Sequence, residues 1–169
     1  RLRLGELDVI VGRLEPGYAA PDLHTEALFD ESMCLICAAG HPLASQKKPG
    51  WPALREVRWV MPPPWATSRA KLHQIFHRHR LLPPQDSIET ASFQVMLHAV
   101  LQLQAIGFVA SNVGRHLAHL GLVHVLPLSV PMDLPPVGII TASHRPEGAA
   151  VQRFMDAIRQ SARHMTPSP

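Results

Sequence analysis

Between residues 57 and 126 the chain alternates short apolar runs with longer segments whose apolar residues recur at helical spacing. The apolar run at residues 57–61 is followed by three prolines, and the next segment places Leu72, Ile75 and Phe76 on one side of a helix. Apolar residues at positions i, i+3 and i+4 are typical of a helix that covers a core, whereas a short apolar run bounded by breakers is typical of a strand. The pattern therefore predicts a strand followed by a helix.

The same plan occurs twice more. Residues 87–90 precede a helical pattern over 92–104, and residues 105–110 precede another over 113–120. Ser, Thr or Asn residues open or directly precede each helical segment, and these residue types cap helix starts. Three such units predict an open α/β sheet, in which the ends of neighbouring strands converge on a ligand crevice.

Both ends of the chain carry further elements. Residues 7–11 read as a strand, and residues 149–164 have an apolar helical face that predicts packing, whereas residues 166–169 should fray. Because the chain starts almost directly in a strand, we expect that other residues precede it in the full protein.

Composition narrows the class of protein. A chain of 169 residues is long enough to bury a core of its own. Its apolar runs are shorter than the ~18 residues that a membrane span needs, and no secretion signal is visible, so we expect no membrane association and a cytoplasmic location. The net charge of +3 comes from dispersed Lys and Arg residues. This dispersion argues against nucleic-acid binding by this segment.

Two motifs invite a metal or redox interpretation. Cys34 and Cys37 form a C-x-x-C, but they lie in an apolar run that reads as a buried strand, where they would face opposite sides of the sheet. Two buried thiols in a reducing compartment are the prediction. His73 and His77 share a helical face, yet no third ligand is close in sequence, so no metal site is predicted.

The sequence contains no G-x-S-x-G elbow, P-loop or G-x-G-x-x-G turn. Glu89 is the only carboxylate at a strand end within the repeating units. It could serve as a general base, but we favour a role in capping or orienting the helix over residues 92–104. Because no nucleophile, base and stabiliser come together, we expect neither enzymatic activity nor a cofactor.

Binding is the remaining interpretation. Thr67, Ser68 and Arg69 open a helix after a loop containing Pro63 and Trp65. Helix N-termini and arginine attract small anions, and the apolar loop favours a ligand with some hydrophobic surface. A second candidate is Gly12 with Arg13, just after the first strand. For both arginines, simple surface salt bridges are the equally weighted alternative.

Several short motifs occur in a defined order: G-E-L-D at residues 5–8, G-H-P-L-A at 40–44, W-V-M-P-P at 59–63, E-T-A-S at 89–92, G-L-V-H-V-L-P-L at 121–128 and V-G-I-I-T at 137–141. Together they resemble the effector-binding domain of LysR-type transcriptional regulators. The chain departs from that family at residues 103–108, where many relatives have A-G-x-G-I. This departure concerns the local turn before a strand.

The resemblance implies an α/β fold of the type II periplasmic-binding-protein kind, with two subdomains and an inducer in the cleft between them. By it, residues 1–55 and 127–169 form the first subdomain, incomplete at its N-terminus and including crossover strands, and residues 56–126 form the second. DNA binding would belong to a helix-turn-helix domain outside this segment. A solute-binding protein of a transport system with the same fold is the alternative function.

The resemblance also implies association as a homodimer or homotetramer in the full-length protein, for which the helix carrying Leu72, Ile75 and Phe76 could contribute. The ligand would be a small organic inducer, most simply a carboxylate. The predicted ligand-binding residues lie at strand ends and helix starts: Gly12, Arg13, Pro63, Trp65, Thr67, Ser68, Arg69, Glu89, Thr90, Ser111 and Asn112.

Overall fold

The computed structural model describes residues 1–144 and 148–163. In chain order its elements are β1 (Val9–Arg13), β2 (Leu23–Phe29), β3 (Met33–Ala38), β4 (Trp59–Met61), α1 (Thr67–Arg78), β5 (Ser87–Glu89), α2 (Phe93–Leu103), β6 (Gly107–Ala110), α3 (Ser111–His119), β7 (Val123–Val125), β8 (Val137–Ala142) and α4 (Ala149–Arg163). They form two compact units, one of Arg1–Glu31 with Leu134–Pro169 and one of Ser32–Asp133.

The first unit is a three-stranded antiparallel sheet with β8 in the centre, between β1 and β2. Gly138 of β8 lies so close to β2 that a Cβ there would come 2.2 Å from the carbonyl oxygen of Glu26. Helix α4 packs on β2, and Arg159 of α4 holds the Glu26 carboxylate at 2.7 Å. The buried residues Leu2, Ile140 and Ala142 form the core of this unit.

The second unit contains the three predicted strand–helix pairs. Strand β3 lies between β6 and β7 and is antiparallel to both. Strands β4 and β5 are parallel, and a parallel bridge from Trp59 to Ile106 connects β4 to the chain just before β6. The parallel strands β4, β5 and β6 each lead into the helix that follows, as the alternating pattern predicted.

Both faces of β3 are buried, and each belongs to a different core. Leu35 and Cys37 pack on the side of α1, with its Leu72 and Phe76, whereas Cys34 and Ile36 pack on the side of α2 and α3. A strand covered on both faces reads as a continuous apolar run, which is the pattern seen at residues 33–38. The prediction that Cys34 and Cys37 are buried thiols on opposite faces is confirmed.

The observed units differ from the expected subdomain limits. The compact unit Ser32–Asp133 includes residues 32–55 and 127–133, which the resemblance assigns to the first subdomain with its crossover strands, and the subdomain limits stay a prediction. The physical reason is that β3 is the central strand of the sheet formed with β6 and β7, so its pairing places the surrounding chain there.

The turn that departs from the family pattern has a clear conformation. Gln104 ends α2 with a φ of 56°, in the left-handed region, and Ala105 and Ile106 are completely buried behind it. His41, from the H-P-L motif, is buried, accepts a hydrogen bond from the Leu43 amide at 3.0 Å and contacts the Gln104 backbone. A buried histidine thus supports the turn at residues 104–106.

The structure also bears on the apolar face of α1 and on the C-terminal segment. Leu72, Ile75 and Phe76 are at most 2% exposed, so these side chains belong to the core and are not available for association. The C-terminal helix is present as α4, while the tail expected to fray, residues 166–169, lies outside the described residues.

Candidate functional site

A pocket of about 420 Å³ lies in the second unit, at the ends of β4 and β6. It is bordered by the starts of three helices: Ala66 and Ser68 at α1, Ser92 and Phe93 at α2, and Ala110 and Val113 at α3. The first turn of a helix has backbone N–H groups without partners in the helix and carries the positive end of the helix dipole. Three such ends around one pocket favour an electron-rich ligand group.

The helix starts arise from local sequence. The Ser92 side chain caps α2 by accepting the Val95 amide at 3.4 Å, and the Thr90 hydroxyl accepts the Ser92 amide at 3.0 Å. Helices α1 and α3 begin after Ala66 and Ala110, whose methyl side chains cannot accept a hydrogen bond. Backbone carbonyls serve some of these amides instead: the Arg69 amide donates to the Ala66 carbonyl and the Ser111 amide to the Ser32 carbonyl, both at 2.9 Å.

The pocket walls are apolar. Among the described residues that line it, none is charged, and the polar side chains are the hydroxyls of Ser68, Thr90 and Ser92. Trp65 and Pro63 also line the pocket, and 79% of the Trp65 surface is exposed. The floor consists of side chains from several strands and helices, including Met33, Val60, Met61, Met96, Phe108 and Val109.

Arg69 is not among the residues that line the pocket, but it contacts Pro62, which is. Its guanidinium donates to the Pro62 carbonyl at 2.8 Å and to His73 Nε2 at 2.8 Å, and it pairs with Glu89 at 2.7 Å. Its side chain is only 15% exposed. The interpretation of Arg69 as a salt-bridge partner therefore describes its state in this structure, and ligand contact by Arg69 stays a prediction.

Glu89 ends β5, next to Thr90 of the pocket. Its carboxylate pairs with Arg69 of α1. The expectation that Glu89 caps or orients α2 is therefore wrong, because its partner belongs to α1. The α2 start is instead capped by Ser92. The reason is that β4 and β5 are neighbouring parallel strands, which brings the end of β5 next to the helix that follows β4.

The remaining predicted residues of the second unit lie at helix starts. Thr67 is the first residue of α1 and Ser111 the first of α3. Ser32 donates a hydrogen bond to the Ser111 hydroxyl at 2.8 Å, and Arg115 donates to Asn112 Oδ1. Ser111 lines a neighbouring pocket of about 470 Å³ with Ser32 and Cys34 and is not among the residues that line the first pocket.

Gly12 and Arg13 belong to β1 of the first unit. Arg13 pairs with Glu31 at 2.9 Å and donates to the Pro135 carbonyl at 3.2 Å. For these two residues, ligand contact stays a prediction.

Sequence reasoning missed the apolar floor of the pocket. The floor residues Met33, Met96 and Phe108 were assigned to strands and a helix, but the pattern alone does not separate a side chain that faces a core from one that faces a cavity. Their position near strand ends and helix starts was the available signal.

Within residues 1–144 and 148–163, no group of three His, Cys, Asp or Glu side chains could hold a metal ion. His73 accepts from Arg69, and His79 stacks on Trp51 with ring centroids 4.7 Å apart. Burial, and then the charge of Arg69, lower the pKa of His73, which favours its neutral, accepting form. The described helices include none that is both long and apolar enough to cross a bilayer.

Comparison with known proteins gives a consistent result. The model of the LysR substrate binding domain matches residues 1–163. The chain is 24% identical over 163 residues to the HTH-type transcriptional regulator GbpR of Azospirillum brasilense, covering 96% of the chain and 48% of that protein. It is 27% identical over 159 residues to the HTH-type transcriptional regulator GalR of Pseudomonas putida, covering 94% of the chain and 40% of that protein. The chain thus spans about half the length of these relatives, or less.

Solved structures share the fold. The regulatory domain of CcmR from Synechocystis PCC6803, in complex with 2-PG, superposes with a TM-score of 0.72 at 18% identity, covering 98% of this chain and 78% of that one. The effector binding domain of QuiR in complex with shikimate gives 0.69 at 16% identity, with coverages of 96% and 75%. The BenM effector binding domain with its effector benzoate gives 0.67 at 22% identity, with coverages of 97% and 73%.

Proposed function

The chain belongs to the LysR substrate-binding domain family, and from this premise we propose that it is the ligand-sensing domain of a LysR-type transcriptional regulator. The observation that carries the proposal is the apolar pocket at which α1, α2 and α3 all begin. A pocket of this size suits a small organic molecule. The named relatives are transcriptional regulators, which favours this function over solute binding for transport.

We propose that the ligand carries a carboxylate on a partly apolar body. The hydroxyls of Ser68 and Thr90 and the first amides of α1 and α2 supply donors for the polar end, and Pro63 and Trp65 supply apolar wall. Shikimate and benzoate, bound by the neighbours QuiR and BenM, are both carboxylates. The pocket can stabilise a carboxylate although none of its described lining residues is charged, because helix N-termini stabilise anions.

Ligand binding would control DNA through a helix-turn-helix domain that is not part of this chain. The ligand acts by binding one arrangement of the protein more tightly than another, which shifts the population of the assembled homodimer or homotetramer. Control of transcription would take place in the cytoplasm, where the bacterial chromosome is.

The test is a titration of the protein with a panel of small organic acids that includes benzoate and shikimate, followed by the rise in melting temperature and by Trp65 emission. An acid that binds should do so more weakly, by roughly tenfold, in Ser68→Ala and Thr90→Val, because each variant loses a hydrogen bond to a charged group. Ser45→Ala is the matched control, because Ser45 lies in a separate turn and bonds the Pro42 carbonyl. Failure of every acid to stabilise the protein, or equal affinity of all variants, would contradict the proposal.

A further inference from the structure

Arg69 is placed to hold the pocket wall in position. It belongs to the first turn of α1, its guanidinium reaches back 2.8 Å to the Pro62 carbonyl after β4, and it reaches across 2.7 Å to Glu89 at the end of β5. Three separate segments of the pocket rim are therefore joined by one side chain. Its bond to His73 at 2.8 Å fixes the remaining direction of the guanidinium.

The charge of Arg69 is already matched. Glu89 supplies an opposite charge at contact distance, and neither residue is part of the pocket lining. The Pro62 carbonyl and His73 use two further nitrogens of the guanidinium. A ligand that took Arg69 as its partner would have to displace Glu89 from a half-buried ion pair, which would leave a carboxylate without its cation.

We propose that Arg69 is a positioning residue: with Glu89 and the Pro62 carbonyl it forms a clamp that holds the loop and the two strand ends around the pocket. Recognition of the polar end of the ligand then falls on the hydroxyls and helix amides, without a direct arginine contact. The ligand part of this inference rests on the proposed function, whereas the clamp itself can be tested without any ligand.

The chain offers a matched control at the other end of the same two strands. Arg58, just before β4, pairs with Asp86, just before β5, at 2.9 Å. This pair also joins β4 to β5, but its side chains are 41% and 61% exposed and it lies away from the pocket. The Arg58–Asp86 pair is therefore an arginine–carboxylate pair next to the same two strands as the Arg69–Glu89 pair, but it does not contact the pocket rim.

The first experiment measures hydrogen exchange in Arg69→Met, Glu89→Met, the double variant and Arg58→Met. The reporting amides are Ala66, bonded to the Pro63 carbonyl, and Thr90, bonded to the Met61 carbonyl. A clamp predicts about tenfold faster exchange at both amides in each single variant and no further increase in the double variant, since both changes remove one coupled unit. The central amides of β3 should keep their protection, which separates local release from general destabilisation.

The second experiment titrates benzoate and its neutral counterpart benzamide, with Trp65 emission as the readout. If Arg69 positions the pocket, Arg69→Met and Glu89→Met weaken both probes by the same factor, about tenfold, because the pocket loses its preformed geometry. Direct contact with the carboxylate would instead weaken benzoate selectively in Arg69→Met and strengthen it in Glu89→Met. That selective pattern would overturn the proposal.

The two experiments fail in different ways. Wild-type exchange rates at Ala66 and Thr90 in Arg69→Met, or an equal change in Arg58→Met, would refute the clamp whatever the probes do. Absence of binding of both probes to the unaltered protein would count against the proposed ligand class, and the exchange rates would still decide the role of Arg69.

Discussion

Gly114 of α3 passes so close to Cys34 of β3 that a Cβ at position 114 would lie 2.5 Å from the Cys34 sulfur. Helix and strand touch here without a side chain from the helix between them. Ile36, also on β3, would lie 3.3 Å from the same Cβ. The close approach of α3 to the sheet therefore depends on a glycine.

Gly114→Ala should destabilise the protein by about 2 kcal/mol, because overpacking a tight core forces side chains or backbone to move. Cys34→Ala should relieve part of this loss when the two changes are combined. Gly40→Ala is the control, since a Cβ there would meet nothing within 4 Å. Urea denaturation measures all four variants, and equal stability of the two glycine variants would contradict the prediction.

The two thiols should be unreactive in the folded protein. Burial raises the pKa of Cys37 to about 11 and also raises the pKa of Cys34. At pH 8 only roughly 0.1% of Cys37 would be thiolate, the reactive form. A thiol reagent should modify neither residue at pH 8 in native buffer and both in denaturant. Rapid native modification, or zinc that survives dialysis, would show that the C-x-x-C is exposed.

Stability should fall as the pH drops through the window below the ordinary histidine pKa. Burial lowers the pKa of His41, and burial together with Arg69 lowers that of His73. The unfolded state then binds more protons than the folded state in this window, so the contribution is complete above about 6.5 and is lost with acidification. His41→Gln should flatten the change in urea midpoint between pH 7.5 and 5.5. Parallel curves for the two proteins would exclude His41 as a source.

Trp65 should dominate the quenchable fluorescence. It is 79% exposed, whereas Trp51 and Trp59 are 5% and 0% exposed. Trp65→Phe should remove most of the emission that acrylamide quenches and shift the remaining spectrum to the blue, without a change in melting temperature. A spectrum that stays red and quenchable would mean that Trp51 or Trp59 is reached by solvent.

Arg159→Met should loosen α4 from β2, because Arg159 is the side chain that holds Glu26 from that helix. The hydrogen bond from Arg159 lowers the pKa of Glu26, so the contribution exists at neutral pH and is lost as the pH falls below about 4.5. Arg153→Met, an exposed position on the same helix, is the control. Urea midpoints at pH 7 should separate the two variants, and at pH 3 they should converge.

Local pattern was sufficient for most elements. Helix α2 begins directly after the predicted cap Ser92, and the alternation at Cys34 and Cys37 correctly assigned the two thiols to opposite faces. These features depend on neighbours within a few residues, which the sequence displays directly.

Features that join distant segments could not be predicted. The alternating pattern predicted that strand ends converge, but not that β4 and β5 are direct neighbours, and this adjacency brings Glu89 into contact with Arg69. The same applies to the assignment of residues 32–55, which follows from the pairing of β3 with β6 and β7. Of the candidate site, the helix starts with Ser68 and Thr90 were found, but the apolar floor under them was not.

The order of strands in the first unit has a consequence for synthesis on the ribosome. Its central strand, β8, is made last, after the whole of Ser32–Asp133, and β1 and β2 pair only with β8 among the described strands. The second unit is continuous in the chain and can close its core as soon as it emerges, whereas the first must bring together ends separated by that unit, at the entropic cost of a long loop. A nascent chain that stops before Val137 would hold a folded second unit together with β1 and β2, whose edges lack their partner strand and are open to aggregation.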